Sequence, residues 1–166
     1  SYSGLMVLGV ATDSQDATGK ILEERPVPTL GDAELRALAA KFTGTLTQVP
    51  PMFSALKKDG VRLYRLARQG KEVPREPRSI QIEVLRLRRR SDVEIEFDVT
   101  CSRGTYVRTL AADMGEHLGC GAYLKTLRRT ACGQLKIEQA VTPDELERRC
   151  ATASPPLFSL ARDSIA

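Results

Sequence analysis

Two hydrophobic periods divide the chain. Ile80, Ile82 and Val84 alternate with polar residues, and so do Val93, Ile95, Phe97 and Val99. A period of two puts every other side chain on one face of a strand, so these segments predict two half-buried, antiparallel strands joined by the polar "RRRSD". Leu5 to Val10 is a short apolar run and predicts a buried strand; "TDSQDATGK", dense in turn residues and closing on Gly19, then leads to "ILEE" as a loop or hairpin. The second period is that of a helix. Leu35, Leu38, Ala39 and Phe42 follow Asp32 as the expected cap, with Gly44 as the stop. Val107, Leu110, Ala111, Met114 and Leu118 form a second apolar stripe, ended by Gly119. "AYLKTLRRT" reads as a further short helix, and Thr142-Pro143-Asp144-Glu145 is a capping box that starts another. Beyond "ASPPLFS" the pattern fades.

One stretch obeys neither period. "TQVPPMFSALKKDGVRLYRLARQGKEVPREPRS" carries prolines at positions 50, 51, 74 and 77, which exclude a central strand or one long helix. A short helix fits "VRLYRLARQ", with Leu63 and Leu66 inward. Long excursions of this kind inside a compact domain are more often functional than decorative. The sum predicts an α+β fold: a mixed, mostly antiparallel sheet with packed helices and a long basic insertion over residues 50–78. Residues 1–150 form the expected domain and 151–166 a tail or linker.

Charge sharpens that picture. The net charge is +4, yet eight cations stand against three carboxylates between Ala55 and Ile80. The basic excess is therefore local, as a polyanion partner requires. With 166 residues, 42% of them apolar and 28% charged, the chain suits one soluble domain. No apolar run reaches the roughly 20 residues that span a bilayer, and "SYSGLMVLGV" has no basic leader and reads as a strand. Cys101, Cys120, Cys132 and Cys150 include no CxxC pair, and His117 is the one histidine. The expectation is free thiols in a reducing cytosol and no zinc or other metal.

The candidate chemistry lies in "CSRGTYVRTLAADMGEHLGC", residues 101–120, a strand running through a glycine turn into a helix. Thr105 is placed to cap that helix, whose first turn carries a positive field. Arg108 adds a fixed charge suited to a carboxylate or phosphate. Tyr106 beside it offers a flat ring for stacking and a hydroxyl for proton transfer. Spacing alone leaves open the plainer alternative, with Tyr106 packed on the sheet and Arg108 on the surface.

These residues resemble the tyrosine-arginine motif, and "AYLKTLRRT" the following leucine motif, of the TruB family of tRNA pseudouridine synthases. "LGVATDSQDATGKI" and the proline-rich insertion are similar to further family blocks, collinearly from Tyr2 to about Val141. The resemblance implies a cytoplasmic enzyme, without cofactor or metal, that isomerises a T-loop uridine of tRNA, at position 55, to pseudouridine after flipping the base. It implies that Tyr106 stacks on the target base and that Arg108 pairs with the catalytic aspartate. Leu127 and Tyr2 would line the uracil pocket. Lys57 and Arg68 would contact phosphates of the T-arm from an insertion that clamps the RNA. The full-length protein is expected to be a monomer.

The family's aspartate lies in a "GxLDPxATG" motif, which this sequence does not contain. Asp16, in "DATG", is the nearest look-alike; it belongs to a block that matches another family segment, has no Leu-Asp-Pro before it, and is not taken as the nucleophile. Asp13 is set aside likewise. The resulting expectations are a fragment that makes no pseudouridine alone, and an Arg108 prepared for an acid that this chain does not encode. The competing reading is a non-catalytic RNA-binding module.

Overall fold

A computed structural model describes residues 1–151, which fall into two compact units, Tyr2–Arg128 and Ser1 with the residues from Arg129 onward. The first unit begins with β1 (Tyr2–Leu8), turns at Gly9, and continues through β2 (Val10–Thr12) to β3 (Ile21–Glu24), its antiparallel partner. Then come α1 (Asp32–Lys41) and β4 (Gly44–Gln48). The insertion holds a small hairpin, β5 (Lys57–Lys58) with β6 (Val61–Arg62), and α2 (Leu63–Arg68). Three long elements follow, β7 (Arg78–Arg89), β8 (Glu94–Cys101) and α3 (Val107–His117), and then β9 (Ala122–Arg129). The second unit contains the hairpin β10 (Ala131–Cys132) and β11 (Leu135–Lys136), a 3-10 turn, and α4 (Pro143–Ala151).

The main sheet has the order β4-β7-β8-β1-β9, and the pairings of β4 with β7, β7 with β8, and β1 with β8 are antiparallel. The α+β expectation therefore holds. The alternation read from the sequence maps onto its core face: Ile80, Ile82, Ile95, Phe97 and Val99 are buried with Met6 and Leu8. Leu35 and Leu38 of α1 and Val107, Leu110, Ala111 and Met114 of α3 complete the core, with Ala39, Phe42 and Leu118 packed at its edge.

Four expectations need correction. Val84 is exposed, because the pairing of β7 with β8 slips by one residue between Ile82 and Val84 and turns Leu85 inward instead. The segment "AYLKTLRR" is strand β9, not a helix. Its Ala122 and Leu124 are buried in strand alternation, and its first half is also held by the bonds from Leu124 N–H to Gln15 C=O and from Ala17 N–H to Leu124 C=O, both 3.0 Å. Asp32 is the first helical residue of α1 rather than its cap; Gly31 is the cap, and its N–H donates to the Glu34 carboxylate at 2.9 Å. Gly44 does not end α1, which closes at Lys41, but opens β4 at a φ of 103°. In the second unit half of the expected capping box is seen: Glu145 N–H donates to Thr142 Oγ1 at 3.2 Å, while the Glu145 carboxylate pairs with Arg148 and Arg149.

Candidate active site

Tyr106 is the N-cap residue of α3, and Arg108 sits on the helix's first turn. Thr105 does not cap; its hydroxyl donates to Ser102 C=O at 2.9 Å, tightening the glycine turn. Tyr106 is half-buried, and its backbone is held from β4: Gln48 accepts from Tyr106 N–H at 2.8 Å and donates to Tyr106 C=O at 3.1 Å.

Arg108 does not lie in bulk water. Its side chain is 25% exposed, and Nη1 donates to Asp16 Oδ2 at 3.1 Å. Its Nη2 donates to the carbonyl of Phe53 in the insertion. The expectation that its acid partner is missing from the chain is thus corrected: Asp16, 92 positions earlier, occupies that place. Two guanidinium nitrogens are engaged in these bonds, and a guanidinium has five N–H donors in a planar fork, so a second carboxylate can still be received.

Asp16 is held on both carboxylate oxygens. Its Oδ1 accepts from Ser14 Oγ at 2.7 Å, Thr18 Oγ1 at 2.6 Å and Thr18 N–H at 3.0 Å, while Arg108 takes Oδ2. Burial pushes its pKa up, but the hydrogen bonds from Thr18, Ser14 and Arg108 together hold it below the ordinary 3.8. The neighbouring Gln15 has a φ of 64°, a left-handed conformation a non-glycine residue adopts at a cost. Its side chain accepts from the buried Thr109 hydroxyl at 2.6 Å, which ties this loop to α3 one residue beyond Arg108. Sequence reasoning missed Gln15, Gln48 and Thr109; the burial of Gln48 and Thr109 and the bond from Thr109 to Gln15 are tertiary facts.

The other expected residues stand as follows. Tyr2 opens β1 opposite Val99 and packs against the core. Leu127 is 45% exposed on β9 and lines a groove of about 460 Å³ with Leu5, Phe97, Arg88 and Arg90. A cleft of about 310 Å³ opens between Gln15 and the insertion's Phe53, and a groove of about 840 Å³ lies between α1 and β7. Neither Tyr106 nor Arg108 lines any of these three. The structure therefore joins Arg108 to Asp16 and the insertion, and Tyr106 to Gln48, without placing Leu127 in one cleft with them.

Lys57 and Arg68 are both exposed on the insertion, the latter 5.4 Å above the Tyr64 ring. Arg62 and Arg65 flank that same tyrosine, and Arg65 foremost draws its hydroxyl pKa below the usual value. Arg88, Arg89 and Arg90 of "RLRRR" are, in contrast, paired. Arg88 reaches Asp98 at 2.7 Å and Arg90 reaches Glu96 at 3.0 Å, so they serve the sheet's own charge ladder. Among the described residues, no three His, Cys, Asp or Glu side chains converge to hold a metal ion, and no helix is long and apolar enough to cross a membrane.

The family model of the TruB family pseudouridylate synthase N-terminal domain matches residues 1–107, and that of the tRNA pseudouridylate synthase B C-terminal domain matches residues 108–156. The chain belongs to the TruB family. It is 53% identical over 148 residues to tRNA pseudouridine synthase B of Geotalea uraniireducens (strain Rf4), covering 89% of this chain and 48% of that protein. It is 50% identical over 146 residues to the protein of that name from Opitutus terrae (strain DSM 11246 / JCM 15787 / PB90-1), covering 88% and 61%. The Pseudomonas fluorescens (strain Pf0-1) relative is 51% identical over 146 residues, covering 88% and 48%. The chain thus spans about half the length of the curated relatives it matches. Two solved structures share its fold. One is a Cbf5-Nop10-Gar1 complex (TM-score 0.63, 23% identity, 90% of this chain and 35% of that chain). The other is an H/ACA RNP bound to a substrate RNA containing 2'-deoxyuridine (TM-score 0.58, 19% identity, 90% and 33%).

Proposed function

We propose that this TruB-family chain is the part of a cytoplasmic, monomeric tRNA pseudouridine synthase that holds the flipped uridine of the T-loop, at position 55, and grips the T-arm. The observation that carries the reading is the guanidinium of Arg108, drawn off the surface by Asp16 and Phe53 at the first turn of the helix capped by Tyr106. A partly buried cation with donors to spare orients a nucleophilic carboxylate and keeps it ionised. Asp16 sets the guanidinium plane; the catalytic carboxylate would approach its remaining N–H groups.

In this reaction the glycosidic bond from N1 of uracil to the sugar breaks, the base turns, a new bond forms from C5 to the sugar, C5 gives up its hydrogen as a proton, and N1 takes up a proton from solvent. Tyr106 supplies the ring over the base and a hydroxyl able to carry a proton. Tyr2 and Leu127 would close on the uracil, both of them able to do so only once RNA draws the elements around it together. Lys57 and Arg68 meet phosphates, setting affinity more than sequence choice. Residues 1–150 act as one catalytic part, with 50–78 as the clamp. Since the sequence has no Leu-Asp-Pro segment, this chain by itself is expected to bind T-arm RNA without turning it over.

The test is a chimera in which the Geotalea relative supplies the residues flanking the matched segment. Release of the uracil C5 hydrogen from T-arm RNA is expected from the chimera and not from the chain alone. A folded chimera that binds the RNA yet releases none would favour the non-catalytic binding module.

A further inference from the structure

The insertion has a neck. Gln48, the last residue of β4, faces Arg78, the first of β7, and the cationic excursion lies between them. Gln48 is only 3% exposed, and a buried amide must spend its polar atoms on partners. It spends both on one residue 58 positions away: Oε1 accepts from Tyr106 N–H at 2.8 Å and Nε2 donates to Tyr106 C=O at 3.1 Å.

Tyr106 needs such a hold. As N-cap of α3 it has an extended backbone, φ −93° and ψ 101°, and no side-chain cap of its own. Its carbonyl already accepts the first helical bond, from Leu110 N–H at 3.0 Å, so Nε2 of Gln48 adds a second donor to that oxygen. One planar amide thereby grips the residue on both sides of its Cα. Backbone direction sets where the Cα–Cβ bond points and which rotamers are open, so the grip decides where the phenol is aimed. A plain helix cap would need only the bond to the N–H. Gln48 also leads directly into Pro50-Pro51, so the same residue fixes the root of the insertion.

We propose that Gln48 is the positioning residue of Tyr106, aiming its phenol and locking that aim to the neck of the insertion. This rests on reading Tyr106 as the residue over the uracil. The chemistry of the grip is selective: asparagine is one methylene short, and glutamate, once ionised, keeps the acceptor but loses the donor.

The test reads Tyr106 directly. The four tyrosines of the chain are replaced by 3-fluorotyrosine, which gives four 19F resonances, assigned by single Tyr→Phe changes. Gln48→Met, equal in length but without either bond, is expected to broaden or split the Tyr106 line while those of Tyr64 and Tyr123 stay in place. Gln48→Glu should do the same at a pH where the introduced carboxyl, whose pKa burial raises, is ionised, and a single sharp Tyr106 line should return on acidification, when that carboxyl regains a proton to donate. The unaltered chain, whose Tyr106 line should not change over that range, is the control. An unchanged Tyr106 line in Gln48→Met, or one in Gln48→Glu that ignores acid, would overturn the proposal. If Gln48→Met fails to fold and all four lines collapse, the acid response of Gln48→Glu decides. In the active chimera, Gln48→Glu with its carboxyl ionised should lower kcat by about a hundredfold, the scale of a misplaced reacting group, with RNA affinity kept. Failure of the synthase reading would show instead in the T-arm RNA assays and leave the 19F result standing.

Discussion

Arg108 and Asp16 are a pair whose partners depend on one another. Thr18 and Ser14 do most to keep the carboxylate charged, the guanidinium adds to them, and the carboxylate keeps the guanidinium turned away from solvent. Asp16 should therefore titrate below 3.8 in an NMR pH titration, and move back up when Arg108 is changed to alanine. The sign for stability follows. A depressed carboxylate pKa contributes stability in full well above 3.8, and that contribution is lost as pH falls through the lower folded-state value. Asp16→Asn should accordingly flatten the acid side of the stability profile, measured by denaturant unfolding between neutral pH and the acid limb; an unaltered profile would mean that the carboxylate is not held by Thr18, Ser14 and Arg108 together. The sequence alone could name Arg108, since an arginine shortly beyond a glycine turn, at the head of an apolar stripe, is conspicuous. It could not name Asp16 as the partner. The bond joins residues 92 positions apart, and the motif that would have made an aspartate stand out belongs to a different role.

At the scale of elements, α3 and the strand after it meet with no room between them. A Cβ on Gly115 would stand 2.3 Å from the backbone nitrogen of Ala122 and 2.4 Å from its Cβ. Gly115→Ala must push β9 away from the helix, and overpacking of this kind costs about 1–3 kcal/mol, readable as a lower denaturation midpoint. The apolar stripe of α3 was legible because its period matches one buried face. That of β9 was misleading: Leu124 and Leu127 stand three apart as on a helix, and only the bonds to Gln15 and Ala17 and the neighbouring β1 settle the strand. Strand β4 was not read at all, since "GTLTQ" shows a single leucine and takes its strand form from pairing with β7. Val84 was misplaced for a related reason. Alternation is blind to a bulge, which moves every later side chain to the opposite face.

For the molecule as a whole, charge location says more than charge total. Arg88, Arg89 and Arg90, at the turn from β7 to β8, are neutralised by Asp98, Asp92 and Glu96, whereas Lys57, Arg62, Arg65 and Arg68 have no acidic partner among the described residues. The insertion is thus where a polyanion gains most. Changing Lys57 and Arg68 together to alanine should weaken T-arm RNA binding and reduce the slope of log affinity against log salt by about one unit for each phosphate that no longer has its cation. Equal slopes for the double variant and the parent would remove the insertion from the RNA interface.

The account turns on Arg108 receiving a catalytic carboxylate while Asp16 holds it. The single-turnover rate of pseudouridine formation by the active chimera, at saturating T-arm RNA, measures this most directly when Arg108 is replaced by lysine. A lysine keeps the charge but cannot present the planar fork, so the rate should fall by about 10²-fold or more, the usual scale for removing a preorganised donor from the transition state, with RNA affinity unchanged. A rate within about twofold of the parent, itself a difference of under 1 kcal/mol in barrier, would contradict it.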